Sequence, residues 1–287
     1  MQGQKWRLDR SSSEVATPPH NAPAARFVAH FNRYPLHPRP RSTLPLDSKM
    51  AGRAPIVVPA LKRHTATVIV AHGLGDSGAG WLFLAENYRR RSVLEEVAFV
   101  FPNAPNIPIT LNMGMHMPGW YDIKSLSTLQ DREEDEAGIL KSRDYFHSLI
   151  DAEVAKGIPA HRVVVGGFSQ GGAMALFSGT TYKEQLGGIF GLSCYLLLQK
   201  RIKDLIPESS PNQKTPIFMG HGDSDQVVAY KYGKMSSDAL TEMGYNVDFR
   251  TYKGLVHSAD EEELDHLEAY LTQQLPALGD KKPEQSL

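Results

Sequence analysis

From Thr67 onward the chain alternates between short apolar runs closed by glycine or proline and longer stretches with apolar residues at helical spacing. Thr67-Val68-Ile69-Val70 is β-branched and uninterrupted by charge, and it runs into His72-Gly73-Leu74-Gly75-Asp76, which reads as a buried strand entering a glycine-rich loop. A helix over Gly80 to Leu94 follows, then a second buried strand, Val97 to Phe101, closed by Pro102 and Pro105. Ile139, Leu140, Tyr145, Phe146, Leu149 and Ile150 repeat at helical spacing behind the acidic stretch Asp131 to Glu136. Acids in a first turn complement the helix dipole, so this charge run reads as a solvated helix start and not as a metal site. Strands are then expected at Val163 to Gly166, Gly188 to Leu192, Ile217 to Gly220 and Val247 to Tyr252, with helices over Gly172 to Gly179, Ala229 to Met243 and Asp260 to Leu275. Strands alternating with helices call for right-handed crossovers and a mainly parallel sheet covered by helices on both faces, in a single compact α/β domain.

The connection from Asn103 to Leu129 is too long for a plain turn and is a candidate binding loop. Composition narrows the rest. At 287 residues with 41% hydrophobic content, one large domain can bury a sizeable core. Lys+Arg 31 against Asp+Glu 32 gives a net charge of -1, so no global field draws the protein to nucleic acid or an anionic membrane. The single cysteine, Cys194, excludes an internal disulfide and a cysteine-rich zinc site, suits a reducing compartment, and reads as a buried small hydrophobe. No apolar run reaches the ~18 residues of a membrane span, and no signal-peptide core follows Met1.

The first 49 residues differ from the remainder. Prolines crowd between Pro18 and Pro40, aliphatics are few, and arginines stand at 7, 10, 26, 33, 39 and 41. Three readings stay open for this stretch: an upstream extension, a transit-like targeting segment, or a binding tail. Met50 sits just before the first folded-looking residues, and a start there would leave a complete domain. The expected boundaries are a disordered extension over 1–53, the α/β domain over 54–277 and a tail over 278–287.

The chemistry concentrates around Gly167-Phe168-Ser169-Gln170-Gly171, a G-x-S-x-G lying between a strand and a helix. That placement forces Ser169 onto a tight turn with its hydroxyl projecting outward. A serine hydroxyl needs a base, and the base needs an acid to fix its tautomer. The loop after strand 217–220 offers His221-Gly222-Asp223-Ser224-Asp225, and the loop after strand 247–252 offers His257. Both Asp223 and Asp225 qualify as the acid; Asp225 lies further along the turn and is better placed to reach the imidazole, whereas Asp223 can tie the loop to its own backbone amides. His221 reads as a residue packed within the acid loop. Donors for a tetrahedral oxyanion are expected from the backbone N–H of Gln170 and of Leu74, with His72 as a structural residue that holds the hole in shape.

The order Ser169, Asp225, His257 is that of the α/β-hydrolases. The chain from about Pro55 to Leu275 resembles the acyl-protein thioesterases of the lysophospholipase and carboxylesterase family, a compact branch of that fold. The resemblance rests on A-P-I-V-V-P-A at Ala54 to Ala60, H-G-L-G-D-S-G at His72 to Gly78, P-N-A-P at Pro102 to Pro105 and L-N-M at Leu111 to Met113. P-G-W-Y-D-I at Pro118 to Ile123, E-D-E-A-G-I at Glu134 to Ile139, G-G-F-S-Q-G-G-A at Gly166 to Ala173, S-C-Y-L at Ser193 to Leu196, H-G-D-S-D at His221 to Asp225 and Tyr252 to Ser258 complete it. The family's triad maps onto Ser169, Asp225 and His257 and its oxyanion amides onto Leu74 and Gln170, which favours Asp225 over Asp223. Where the family carries Trp-Leu-Pro after the cysteine, this chain has Tyr195-Leu196-Leu197.

The resemblance implies hydrolysis of palmitoyl thioesters on protein cysteines, such as those of G-protein α subunits, with weaker lysophospholipase activity. It also implies a cytoplasmic, and in part nuclear, location, with transient contact at membrane surfaces and no cofactor or metal. The apolar loop carrying Leu111, Met113, Met115, Met117, Trp120 and Tyr121 is expected to line an acyl groove through Leu111, Met113, Met117 and Trp120; the competing reading is a loop packed on the core. A broad carboxylesterase without a protein substrate, and a hydrolase-fold binding protein without catalysis, are the alternatives to the thioesterase reading.

Overall fold

The computed structural model describes residues 54–124 and 133–279. The expected disordered extension over 1–53, the end of the long connection together with the start of the acidic stretch (125–132), and most of the expected tail, 280–287, lie outside the described residues. Seven strands form the main sheet: β1 (Ile56–Val58), β2 (Ala66–Ala71), β3 (Val97–Phe101), β6 (Val163–Phe168), β7 (Gly188–Leu192), β8 (Ile217–Gly222) and β9 (Val247–Tyr252). Their order is β1-β3-β2-β6-β7-β8-β9. β1 runs antiparallel to β3, and every other pairing in this sheet is parallel. Helices α1 (Leu82–Arg90), α2 (Glu136–Ala155), α3 (Gln170–Thr180), α4 (Ile202–Leu205) and α5 (Tyr230–Glu242) lie in the connections between strands, and α6 (Glu261–Gln274) follows β9.

The uninterrupted apolar runs follow from a sheet buried on both faces. Successive strand residues point to opposite sides. Ile69, Val163, Val165, Ile189, Ile217 and Met219 therefore pack with Phe146, Ile150, Met174 and Phe177 of α2 and α3. Their neighbours Val68, Val70, Val164, Phe190 and Phe218 pack with Leu84 and Tyr88 of α1 and Leu267 and Leu271 of α6. β3, β7 and β9 have the expected bounds. The sequence reading passes over β1, α4 and a hairpin inside the long connection, β4 (Asn106–Ile109) with β5 (Met115–Pro118). It also carries the first helix too far: α1 stops at Arg90 because Ser92 and Leu94 both take φ of 54°, which a helix does not tolerate.

The acidic run before α2 is more than a solvated helix start. Asp135 caps the helix by accepting from Gly138 N at 3.0 Å and also accepts from Asp122 N at 3.0 Å, while the Glu134 carboxylate accepts from Leu198 N at 3.1 Å. At the far end of the sheet Glu96 accepts from Leu278 N (2.9 Å) and Gly279 N (2.8 Å), and Arg162 donates to Pro276 O (2.9 Å). The chain is thus tied down two residues past the expected domain end at 277.

Two features set the tolerance of this core. At the crossing of β2, β6 and α3 the backbones touch: a Cβ on Gly167 would lie 2.5 Å from Ala71 O, and one on Gly171 only 2.3 Å from the same oxygen. Glu263, in the first turn of α6, is fully buried and presses its Oε1 against Gly220 of β8; neither of its carboxylate oxygens has a partner among the described residues. Burial, helped by the Asp260 charge, pushes its pKa from 4.5 up to about 8.

Gly171→Ala should destabilise the domain by on the order of 3 kcal/mol or more. Gly114→Ala, at φ 73° with nothing within 4 Å of its added methyl, should cost only about 1–2 kcal/mol; equal denaturation midpoints for the two variants would contradict the close backbone approach at Gly171. For Glu263 the folded state holds a proton that the unfolded chain releases, so its stabilising contribution is complete below about pH 4.5 and is lost as the pH climbs through 8. Glu263→Gln should therefore melt higher than wild type at pH 8 by several degrees, with the gap shrinking towards pH 5, as read by thermal unfolding across that range.

Candidate active site

Strand β6 ends at Phe168 and helix α3 begins at Gln170, so Ser169 alone makes the turn. It does so at φ 53°, ψ -122°, a conformation that costs a non-glycine residue roughly 1–3 kcal/mol and must be imposed from outside. Ser169 N donates to Leu192 O at the end of β7 (2.8 Å), and Ser169 O accepts from Ala173 N in the first turn of α3 (2.9 Å). The glycine-lined contact with β2 closes the remaining side.

His257 arrives from the loop between β9 and α6, its ring centroid 4.8 Å from that of Phe168. Its Nε2 lies 2.9 Å from Ser169 Oγ and its Nδ1 2.7 Å from Asp225 Oδ2. The carboxylate can only accept, so Nδ1 carries the hydrogen and Nε2 turns its lone pair to the serine hydroxyl, which donates. Asp225 sits in the loop between β8 and α5, its side chain wholly buried. Oδ1 accepts from Val227 N (2.8 Å) and Val228 N (2.9 Å). Burial alone would raise its pKa, but the adjoining imidazoles of His221 and His257 and the Val227 N–H outweigh it and hold the carboxyl well below the usual range.

The other acid-loop residues take separate tasks. His221 Nε2 donates to Val228 O at 2.8 Å and stands 3.4 Å from Asp225 Oδ2. Asp223 reaches away from the imidazole: its Oδ1 accepts from Gly254 N (2.7 Å) and Ser224 Oγ (3.0 Å). It therefore ties the acid loop to the histidine loop, where the sequence reading gave it amides of its own loop.

Across the serine lies the loop after β2. Gly75 N donates to Pro118 O (2.8 Å) and Asp76 N to Gly73 O (3.3 Å), while no acceptor among the described residues takes the Leu74 N–H. Gln170 supplies the first N–H of α3, which has no acceptor within the helix. A Cβ on Gly73 would stand 3.3 Å from Ser169 Cβ, so the loop lies directly against the elbow. His72 is fully buried; Nδ1–H donates to Gly73 O (2.7 Å), and Nε2 accepts from Ala104 N (3.0 Å). Burial lowers its pKa against the opposing effects of the Gly73 bond and Asp76, which agrees with a neutral ring holding the loop.

The four residues expected to line an acyl groove part company. Leu111 is 41% exposed and Met113 is 90% exposed in the β4–β5 connection, and half-buried Met117 lies beside Gly75 with its sulfur accepting from Asn112 Nδ2 (3.3 Å). Trp120 does not face a groove. It is 2% exposed, its ring is packed 5.1 Å from His72 and 5.0 Å from Phe146, and its Nε1 donates to His72 O (2.8 Å). An indole whose N–H has a buried backbone partner belongs to the core. The Gln170 side chain, which the G-x-S-x-G pattern leaves unspecified, accepts from Trp120 N (2.8 Å) and donates to Tyr121 O (2.7 Å). Tyr195, at the departure from the family pattern, places its hydroxyl 2.9 Å from that of Tyr121, both rings being buried. Cys194 is buried beside Gly191, with its thiol pKa pushed up by burial.

Residues 53–275 match the phospholipase/carboxylesterase family. The chain is 60% identical over 231 residues to acyl-protein thioesterase 1 of Emericella nidulans, covering 78% of this chain and 97% of that protein. It is 56% identical over 242 residues to the Neurospora crassa protein of the same name, covering 83% and 99%. Among solved structures it resembles Zea mays acyl-protein thioesterase 2, with a TM-score of 0.68, 32% identity and coverage of 78% of this chain and 100% of that one. With the fold, the elbow at Ser169 and likeness over nearly the full length of these relatives all agreeing, the chain belongs to the phospholipase/carboxylesterase family of α/β-hydrolases, on its acyl-protein thioesterase branch.

Proposed function

We propose that this protein is a serine thioesterase that removes fatty acyl groups, chiefly palmitoyl, from S-acylated protein cysteines through an acyl-enzyme on Ser169. The observation that carries this reading is the row Ser169 Oγ, His257, Asp225, with contacts of 2.9 and 2.7 Å, ending in a carboxylate held ionised and lying across from the Leu74 and Gln170 amides.

The chemistry follows from that row. His257 Nε2 takes the Ser169 proton as Oγ bonds to the thioester carbonyl carbon, and the carbonyl oxygen becomes an oxyanion that accepts from the Leu74 and Gln170 amides. Asp225 stabilises the imidazolium without accepting its proton. The tetrahedral centre then collapses, the C–S bond breaks, and the cysteine thiol departs with the proton from His257. Water, deprotonated by the same nitrogen, attacks the Ser169 ester, and the fatty acid leaves as Oγ regains its proton. A thiolate leaves more readily than an alkoxide, so a site able to cleave oxygen esters also cleaves thioesters.

The names of the relatives support S-acylated proteins as the substrate class. The finer assignments, G-protein α subunits among the substrates and lysophospholipids as weaker ones, rest on the family resemblance. Leu111, Met113 and Met117 supply the apolar surface on the β4–β5 hairpin that the acyl chain is proposed to follow.

Ser169→Ala should lower thioesterase turnover by about 10⁶ and abolish labelling by a serine-directed fluorophosphonate; a labelled variant, or an unlabelled wild type, sinks the reading. Asp225→Asn should keep the fold and lose about 10³–10⁴ in kcat. On an S-palmitoyl peptide and a lysophospholipid compared side by side, kcat/KM should favour the peptide. The reverse order would mark a lipid esterase instead.

A further inference from the structure

An oxyanion hole assembled from two backbone amides is only as good as their mutual spacing, and here the amides belong to elements that no covalent proximity links. Gln170 N opens α3. Leu74 N sits in a loop with glycine on each side, one of them at φ 80°, and such a loop does not hold its own geometry.

One side chain joins the two. The Trp120 indole Nε1–H donates to His72 O (2.8 Å), two residues before Leu74, while the Trp120 backbone N–H donates to Gln170 Oε1 (2.8 Å). The second half of the Gln170 amide donates to Tyr121 O (2.7 Å), and the Ser142 hydroxyl donates to Trp120 O, so the short segment that carries the indole is held from both sides. Gly75 N donates to Pro118 O, just ahead of that segment (2.8 Å). Leu74 is therefore bracketed, through His72 and Gly75, by bonds that lead to residues 118–120, and those residues are bolted to the side chain of the other donor. The ring, packed against His72 and Phe146 at 2% exposure, has no slack.

We propose that Trp120 and the Gln170 side chain are positioning residues that fix the spacing of the two oxyanion amides. The role is distinct from lining the acyl path, and it rests on the serine-hydrolase reading given above. Loss of the indole N–H leaves His72 O buried and unpaired, which displaces the Leu74 loop relative to α3. A displacement approaching 1 Å costs about 10²-fold in rate. Because the oxyanion exists only at the tetrahedral stage, the loss falls on kcat and not on substrate binding.

The test uses the full chain as wild type, Trp120→Phe and Gln170→Met, the second of which keeps the backbone amide and removes only the clamp. Each is assayed with p-nitrophenyl esters of a short and a long acyl chain, and for inhibition by an alkyl trifluoromethyl ketone, whose adduct with Ser169 mimics the oxyanion. Both variants should lose about 10- to 100-fold in kcat on either ester with KM within about twofold. The ketone should weaken by the same factor as kcat. An unchanged kcat, or a loss confined to the long ester and expressed in KM, would overturn the proposal; the latter would return Trp120 to the acyl path. Should Trp120→Phe fail to fold, Gln170→Met decides alone. A wild type that no fluorophosphonate labels would instead remove the serine-hydrolase reading and leave the hydrogen-bonded clamp as a structural feature.

Discussion

At Ser169 the chain passes from strand to helix through a single residue, and the backbone that allows it, φ 53° with ψ -122°, is one that serine does not choose for itself. Its surroundings impose it. Leu192 O takes the serine N–H, the first turn of α3 takes its carbonyl, and β2 lies so close that neither Gly167 nor Gly171 has room for a methyl. Much else is arranged around this constraint. Burial of the sheet on both faces keeps β2, β6 and β7 in register, and that register puts Ala71, Ser169 and Leu192 at one edge. The loops bearing Leu74, Asp225 and His257 all follow strands of the same sheet, which is why they meet at the serine from three directions.

Much of this was legible in the sequence because burial on both faces writes itself as an unbroken apolar run. β3 and β7 could be delimited from that signal, the edge strand β9 instead alternates apolar with polar residues, and chain order brought Ser169, Asp225 and His257 into consideration together. The hairpin escaped because Asn106-Ile107-Pro108-Ile109 and Met115-His116-Met117-Pro118 alternate weakly and each contains a proline, which speaks against a strand unless it stands at an edge. Trp120 escaped for a different reason. An aromatic residue in a long loop looks the same whether it faces ligand or core, and only the discovery of a buried acceptor for its N–H, His72 O, separates the two. The Gln170 side chain lay in a position that the motif treats as free.

Two buried carboxyls show how little burial alone decides. Asp225 and Glu263 both have side chains withdrawn from solvent. Asp225 is surrounded by two backbone N–H groups and two imidazoles and stays ionised, whereas Glu263 lies against Gly220 of β8 with no donor for either oxygen among the described residues and is pushed towards its neutral form. Donors, not depth, separate a working acid from a silent one.

The clamp on the last described residues carries a practical meaning. Arg162, which holds Pro276, immediately precedes β6, and Ser169 immediately follows it; the six residues between span about 20 Å. Glu96, which holds Leu278 and Gly279, likewise stands at the start of β3. Gly279, the last described residue, thus lies at the pole opposite the nucleophile, so a fluorophore or surface tether attached at that position would leave the approach to the serine clear. An immobilised form of this protein would present its reactive end outward.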